Sequence, residues 1–253
     1  MENIQIQGYK MIRLNCDMGE SFGVWKMGYD EQIMPYVSLA NLACGFHASD
    51  SLTMNRSVKL AKDYNVTIGA HPSYQDLVGF GRRSILCSLE EIKSIILYQL
   101  GALNAFCRAH GTAVSYVKPH GALYNDMMKD ENIYKAILSA ISSFDKNIRL
   151  MILSKPDTQA YEYTAKIYGI NLLYEVFADR NYNDDGSLVS RILPNAVIDD
   201  ELEVMQRISL LKDNGFIKSI NGKKLYLKAD TICVHGDGNN ALSFIKALNK
   251  VLS

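Results

Sequence analysis

Short apolar runs alternate along the chain with longer segments in which apolar residues recur at helical spacing. A strand buried on both faces of a parallel sheet reads as a continuous apolar run, and the segments between these runs are long enough for helical crossovers. The pattern therefore predicts an α/β fold, and at 253 residues a closed or nearly closed (β/α) barrel is expected. The seven predicted strands are residues 11–16, 37–46, 66–70, 113–117, 148–153, 170–177 and 231–235.

Helix signals lie between these strands. Ser88 with Glu91 three residues later forms a capping box, which predicts a helix running to about His110. A second helix is expected to begin near Asp130, and a third is predicted by the apolar residues of 241–248 at i, i+3, i+4 and i+7 spacing.

Residues 216–229 depart from this plan because they alternate and carry Asn221-Gly222 at their centre. Alternation around Asn-Gly is typical of a β-hairpin, which we expect to decorate the barrel before the last strand. No Pro/Ser-rich linker, repeat or low-complexity segment interrupts the chain. A single domain over residues 1–253 is therefore predicted.

Composition excludes several classes of protein. Lys and Arg together number 27, and Asp and Glu together number 27, so the net charge is 0. A nucleic-acid-binding protein usually has an excess of basic residues, and this chain has none. No apolar run reaches the roughly 18–20 residues of a membrane helix. The first residues do not resemble a signal peptide, and the five cysteines form no CxxC pair. A cytoplasmic protein with reduced thiols is expected.

Polar residues gather where the predicted strands end. Four of the five histidines, His47, His71, His120 and His235, follow directly on a strand. The carboxyl ends of parallel barrel strands open on one face, so these side chains are expected to converge there. A single histidine after a strand is usually structural, whereas four beside several acidic groups indicate a site. The acidic residues at this end are Asp17, Glu20, Asp50, Glu175, Asp179 and Asp237.

The residue types leave two kinds of chemistry open. Asp17, His47 and His71 suit a divalent metal ion that activates water, although their spacing is much longer than that of a zinc-binding motif. The same groups could equally act as metal-free general acids and bases. The sequence has no P-loop and no GxSxG elbow. His110, at a predicted helix end, is expected to be a cap without a chemical role.

Cations accompany these groups. Lys118 precedes Pro119 at the end of a predicted strand, so it is expected either to pair with a carboxylate there or to hold an anionic substrate. Arg83 follows a glycine-rich turn, and Arg180 and Arg191 flank a polar loop.

Seven sequence motifs follow one another along the chain from Ile12 onward: LNCDMGESFGVW, ANLACGFHASD, IGAHPSYQDLVGFGRR, YQLGALNAF, VKPHGALYN, EVFADRNYNDDGSLVSR and ICVHGD. In these motifs the chain resembles the LamB/YcsF family, which comprises the A subunits of 5-oxoprolinase. The resemblance implies a distorted (β/α) barrel of the glycoside hydrolase/deacetylase type. Tyr29, Ser49 and Ser51 depart from the family pattern and leave the histidines untouched.

The resemblance also implies an activity, namely ATP-dependent hydrolysis of 5-oxo-L-proline to L-glutamate together with partner subunits B and C. ATP is the implied cofactor, and a divalent metal ion on Asp17, His47 and His71 is left open. Two alternatives remain: a metal-dependent deacetylase-like hydrolase of small carbohydrate amides, and a non-catalytic lactam-utilisation subunit. The proposed catalytic residues are Asp17, His47, His71, His120, Glu175, His235 and Asp237, and the proposed substrate-binding residues are Asn15, Glu20, Tyr74, Arg83, Lys118 and Arg180.

Within this set, Asp17 with His47 or His71 is assigned to water activation. His120 and His235 are assigned to proton transfer or phosphate contact, and Glu175 and Asp237 to orienting the histidines.

Overall fold

A closed barrel of seven parallel strands lies at the centre of the computed structural model, which describes residues 12–234 and 241–252. Successive barrel strands pair in chain order, and the last strand closes the barrel by pairing with both the sixth and the first. The predicted (β/α) barrel is confirmed. The described strands are β1 Arg13–Met18, β2 Leu39–Ala43, β3 Thr67–His71, β4 Val114–Val117, β5 Arg149–Leu153, β6 Leu172–Phe177, β7 Phe216–Lys218, β8 Lys224–Tyr226 and β9 Thr231–Cys233.

Helices cover the outside of the barrel and bury their apolar faces against it. The capping box is present, since the Ser88 hydroxyl accepts from the Glu91 N–H and the Glu91 carboxylate accepts from the Ser88 N–H. His110 is the C-cap of that helix, as predicted, and its ring contacts Asn55 Oδ1 at 2.7 Å. The described helices are α1 Asp30–Ile33, α2 Ser51–Asp63, α3 Leu89–Ala109, α4 Gly121–Met127, α5 Glu131–Phe144, α6 Gln159–Tyr168, α7 Glu201–Asn214 and α8 Ala241–Leu252.

The predicted hairpin is also present. Strands β7 and β8 pair antiparallel, and Gly222 in the turn between them has φ +82°. That left-handed backbone conformation favours glycine, which explains the Asn-Gly signal. None of the described helices combines the length and apolar character that a membrane-spanning segment needs.

Part of the barrel interior is filled by apolar side chains. Leu39, Tyr116, Met151 and Leu173 form a buried cluster there, one side chain from each of four strands. Gly69 on β3 makes room for it, because a Cβ at that position would lie 2.1 Å from the Tyr116 ring. This apolar cluster fills part of the barrel interior, and barrels of this kind carry their sites at the carboxyl ends of the strands.

A layer of polar side chains lies next to this apolar cluster, which we call the apolar plug, on the side of the carboxyl ends of the strands. The Asn15 amide donates to Thr231 Oγ1 at 2.8 Å, and the Asn41 amide donates to Asn15 Oδ1 at 2.8 Å. The Tyr116 hydroxyl donates to Asn41 Oδ1 at 2.7 Å. Buried polar groups need such partners, and this network sets the orientation of the residues directly above it.

Candidate active site

Lys118 occupies the centre of the barrel at its carboxyl end. Its Nζ lies 2.8 Å from Asp17 Oδ1 on β1 and 2.8 Å from Glu175 Oε1 on β6. Cys233 Sγ, on β9, is 3.2 Å from the same nitrogen. Lys118, Asp17 and Glu175, all predicted site residues, thus form an ion cluster in which Lys118 is 2% exposed, Glu175 is fully buried and the Asp17 side chain is 11% exposed.

The charges of this cluster are held in place by their surroundings. Burial by itself lowers the pKa of Lys118, but the negative charges of Asp17 and Glu175 outweigh it and hold the pKa well above its usual value. The Asn41 amide donates to Asp17 Oδ1 at 2.7 Å, and the Tyr124 hydroxyl donates to Glu175 Oε2 at 2.9 Å. The lysine therefore stays protonated between two carboxylates, each with a further hydrogen-bond donor.

A second cluster lies beside the first and consists of Glu20, His47, His71 and His120. Each residue contributes one donor atom, all four residues are buried, and the four atoms lie within 4.8 Å of one another. We call this set the histidine cluster. These residue types in this arrangement could hold a metal ion. Asp17 connects the two clusters, since its Oδ2 lies 3.4 Å from His71 Nε2.

Four different loops and strand ends supply the histidine cluster. His71 is the last residue of β3, and His120 is the N-cap of α4 after β4. His47 follows β2, and Glu20 follows β1 after Gly19, whose φ of +71° turns the chain. The convergence expected from parallel strand ends is therefore present for these residues.

Each ring of the cluster is anchored on its outer side. His71 Nδ1 donates to the Lys118 carbonyl at 2.7 Å, and His120 Nε2 donates to the Phe80 carbonyl at 2.9 Å. His47 Nδ1 lies 3.1 Å from Ser73 Oγ, and its ring stacks on His120 with centroids 3.8 Å apart. Burial, followed by neighbouring histidines, lowers the pKa of both His47 and His120 well below the usual value.

The turn at Phe80 and Gly81 packs directly on these rings. Gly81 has φ +63°, and a Cβ there would lie 2.8 Å from both His47 Cβ and His120 Cδ2. The Gly81 carbonyl accepts from the Ala122 N–H at 2.9 Å, which fastens the turn to α4. The glycine-rich GFGRR sequence is therefore explained by this close approach.

Both clusters open into one cavity of about 480 Å³, a size typical of small-molecule sites. Asp17, Glu20, His71, Lys118 and His120 line it, together with apolar side chains that include Phe80 and Phe177. Its walls also carry basic residues, which give a positive local field in a protein of zero net charge. These are Arg82, Lys129, Lys155, Arg180 and Arg191. The cavity therefore suits a small anionic molecule.

The other predicted site residues occupy different places. Asn15 lies in the polar layer below the site, and Arg180 lines the cavity while it donates to the Val189 and Ala196 carbonyls. Neither Tyr74 nor Arg83 lines the cavity. The Tyr74 hydroxyl donates to Asp126 at 3.1 Å, and Arg83 pairs with Asp76 while its side chain is 65% exposed.

His235 and Asp237 lie outside the described residues. Asp50 is the N-cap of α2, where its carboxylate accepts from the Leu52 and Thr53 N–H groups.

Sequence reasoning missed several residues of the site. Asn41, Tyr124 and Cys233 contact the ion cluster, and Ser73 and Phe80 hold the histidine rings. A polar Asn41 in the middle of an apolar strand was the available signal, because an inward-facing amide in a barrel needs partners there. The Phe80 contact runs through a backbone carbonyl, which side-chain chemistry does not reveal.

Similarity to known proteins extends over nearly the whole chain. Residues 12–253 match the sequence model of the LamB/YcsF family. The chain belongs to this family. The A subunit of 5-oxoprolinase from Vibrio vulnificus strain YJ016 is 51% identical over 242 residues, covering 96% of this chain and 97% of that protein. The A subunit of 5-oxoprolinase from Pyrococcus abyssi is 50% identical over 242 residues, covering 95% of this chain and 93% of that protein.

A solved structure of the same kind is also similar. The lactam utilization protein from Thermus thermophilus superposes with a TM-score of 0.88 at 40% identity, covering 95% of each chain. The LamB/YcsF assignment made from the sequence motifs is thus confirmed, and so is the barrel expected with it.

Proposed function

We propose that this LamB/YcsF chain is the A subunit of an ATP-dependent 5-oxoprolinase that hydrolyses 5-oxo-L-proline to L-glutamate with subunits B and C. The observation that carries the proposal is the identity of about half of all residues to proteins named as A subunits of 5-oxoprolinase, over nearly the full length of both. The chemistry of the cavity supports it, because acids, bases and cations converge on a space suited to a small anion.

The reaction places clear demands on the site. A five-membered lactam is an unreactive amide, so its hydrolysis near neutral pH needs a better electrophile and an activated water. ATP would supply the first by phosphorylating the amide oxygen with release of ADP, and the phosphate would leave after water has attacked the activated carbon. The protein must then place a base beside the water, a proton donor beside the ring nitrogen and a cation beside the substrate carboxylate.

Asp17 is the proposed base. Lys118 and Asn41 both donate to its Oδ1, which holds the carboxylate in one orientation, and the residue lines the cavity. His71 Nε2 lies 3.4 Å from Asp17 Oδ2, which places the proposed base directly beside the histidine cluster. Glu175 balances Lys118 and is oriented by Tyr124, so it contributes to placing the ammonium.

Arg180 is the proposed anchor of the substrate carboxylate. Lys118 is already bound to two carboxylates, whereas the hydrogen bonds of Arg180 go to backbone carbonyls and the Asp179 charge lies nearby. Burial lowers the pKa of Arg180 only to about 10, so its charge is retained at neutral pH. A buried guanidinium at a cavity wall matches the flat, two-oxygen shape of a carboxylate.

The test is reconstitution of this chain with subunits B and C of the same source. We expect glutamate and ADP to form together only when ATP and all three subunits are present, because the sequence has no P-loop and the chain needs partners for nucleotide chemistry. ATP-dependent glutamate formation by the isolated chain would contradict the expectation that the partner subunits are needed for nucleotide chemistry. Metal-dependent acetate release from amidated carbohydrates without ATP would favour the deacetylase-like alternative, and an undiminished reaction without this chain would favour a non-catalytic role.

A further inference from the structure

The outer hydrogen bonds of the histidine cluster determine which ring nitrogens carry hydrogen. A backbone carbonyl can only accept, so His71 Nδ1 and His120 Nε2 must both be protonated to make their contacts. The Ser73 hydroxyl donates to the Tyr74 carbonyl at 2.7 Å, so Ser73 Oγ accepts from His47 Nδ1. In neutral rings, the inner nitrogens of all three histidines are therefore lone-pair acceptors.

These acceptors face one another at short range. His71 Nε2 lies 3.0 Å from His120 Nδ1, and His47 Nε2 lies 3.1 Å from Glu20 Oε1. A third of the six distances among the four atoms, between His120 Nδ1 and Glu20 Oε1, is 3.7 Å. Lone pairs that approach so closely inside a protein repel each other unless a cation lies between them.

We infer that Glu20, His47, His71 and His120 bind one divalent first-row transition-metal ion, with zinc as the closest match. Zinc takes nitrogen and oxygen ligands at roughly 2.0–2.2 Å in a tetrahedron, whose edges are then about 3.3–3.6 Å long. Three separations, of 3.0, 3.1 and 3.7 Å, lie on either side of that range, and the other ligand pairs lie within 4.8 Å, so small side-chain movements would complete the tetrahedron. Outer hydrogen bonds that fix each ring are the usual support of metal-ligating histidines.

The donor set also selects the class of ion. Three imidazoles and one carboxylate suit zinc, iron, nickel or copper, whereas magnesium and calcium prefer sites built from oxygen. The proposed set differs from the one expected from the sequence at two places, because Glu20 takes the place of Asp17 and His120 is added. Asp17 Oδ1 is engaged by Lys118 and Asn41, whereas Glu20 Oε1 lies 3.1 Å from His47 Nε2 and 3.7 Å from His120 Nδ1. The inference rests on geometry alone and does not require the proposed 5-oxoprolinase reaction.

The test measures metal directly in the purified full-length chain. We expect about one equivalent of zinc by elemental analysis, removable with a chelator. Cobalt added to the stripped protein should give the intense visible bands of a four-coordinate site. His47→Ala and His120→Ala should each weaken cobalt affinity more than about 100-fold, since even outer-shell partners change metal affinity 10–100-fold. The matched control is His110→Ala, because His110 contacts Asn55 far from the cluster and should leave affinity unchanged.

A pair of isosteric variants separates the two possible ligand sets. Glu20→Gln should lose cobalt affinity, whereas Asp17→Asn should retain most of it; the reverse result would restore Asp17 as the ligand. Wild-type protein should also gain thermal stability when zinc is added, which tests the site even if an alanine variant does not fold. Absence of stoichiometric binding and of any thermal shift at micromolar zinc would overturn the inference. In that case a proton shared between His71 Nε2 and His120 Nδ1, and not a metal ion, would relieve the repulsion between their lone pairs.

Discussion

The Lys118 ammonium lies 2.8 Å from Asp17 Oδ1 and 2.8 Å from Glu175 Oε1, and Glu175 is fully buried. This relationship bears on the two roles that the sequence leaves open for Lys118. A lysine that serves to bind a substrate carboxylate would have no carboxylate partner within the protein. Lys118 instead already pairs with the carboxylates of Asp17 on β1 and Glu175 on β6. The geometry therefore favours the charge-balancing role and makes a specific prediction about stability.

Lys118→Met keeps most of the aliphatic packing and removes the charge, which leaves two carboxylates close together in the barrel. Losing one member of a buried ion cluster typically costs about 3–5 kcal/mol. We expect the unfolding free energy, measured by urea denaturation, to fall by that amount. Adding Glu175→Gln should recover part of the loss. Lys59→Met is the control, because Lys59 pairs with Asp63 on the surface and such pairs contribute less than about 1 kcal/mol. If the Lys118→Met variant were as stable as the control variant, Lys118 would not have the charge-balancing role.

Gly69→Ala and Gly101→Ala should have opposite effects. A Cβ on Gly69 would lie 2.1 Å from the Tyr116 ring, so alanine must displace the apolar plug, and overpacking of this kind costs about 1–3 kcal/mol or more. Gly101 lies inside α3 with open space around it, and alanine there should stabilise the helix by about 0.5–1 kcal/mol. Thermal melts of both variants provide the measurement. A neutral Gly69→Ala variant would show that Tyr116 does not fill the barrel tightly.

Asp30 should make stability depend on pH. Burial is the main cause that raises its pKa to about 6, despite a hydrogen bond from the Gly19 N–H. The unfolded chain has a pKa of about 3.9 at this residue, so the folded protein binds the proton more tightly. The unfolding free energy contributed by Asp30 is therefore highest below about pH 4 and falls as the pH rises through 6.

Asp30→Asn should consequently stabilise the protein at pH 7.5, by roughly 1–3 kcal/mol, and have no such effect at pH 4. Asparagine retains an oxygen that accepts from Gly19. The matched control is Glu31→Gln at the neighbouring exposed position, which should change little at either pH. Equal effects of Asp30→Asn at both pH values would show that the folded carboxyl has an ordinary pKa.

His47→Ala and His71→Ala should each abolish ring opening in the reconstituted complex while the protein stays folded. Both histidines belong to the cluster beside the proposed base Asp17, and disabling general acid–base chemistry typically costs about 10²–10⁴ in rate, so a loss of at least that size is expected. Glutamate release is the measurement, circular dichroism checks the fold, and His110→Ala is expected to keep wild-type activity. Near-normal turnover of both variants would show that the histidine cluster is not part of the reaction.

Arg180→Met tests the proposed carboxylate anchor. Removal of one partner from a buried charge pair costs about 2–5 kcal/mol, so KM for 5-oxoproline should rise about 30-fold or more. Arg180→Lys should restore part of the affinity because the charge returns without the two-pronged geometry. Steady-state kinetics of the complex separate the cases: a lower kcat at unchanged KM would assign Arg180 to another step.

Local patterns determined most of the fold. Apolar runs marked the seven barrel strands, Ser88 and Glu91 marked the start of α3, and Asn221-Gly222 marked the hairpin turn. These features depend on residues close together in the chain, so spacing and capping chemistry are sufficient to predict them. Parallel strands also bring their carboxyl ends to one face, and for this reason the meeting of His47, His71 and His120 was predictable.

Only the tertiary structure decided how the charges are matched. Asp17 and Glu20 are three residues apart, yet one faces Lys118 inside the barrel and the other reaches the histidines because the chain turns at Gly19. The partners of these side chains come from strands and loops that are distant in sequence, so no spacing along the chain specifies them. The same holds for Tyr124 on Glu175 and for the Phe80 carbonyl on His120. Distances of about 3 Å between groups from separate loops are set by barrel closure and packing, which the order of residues does not display.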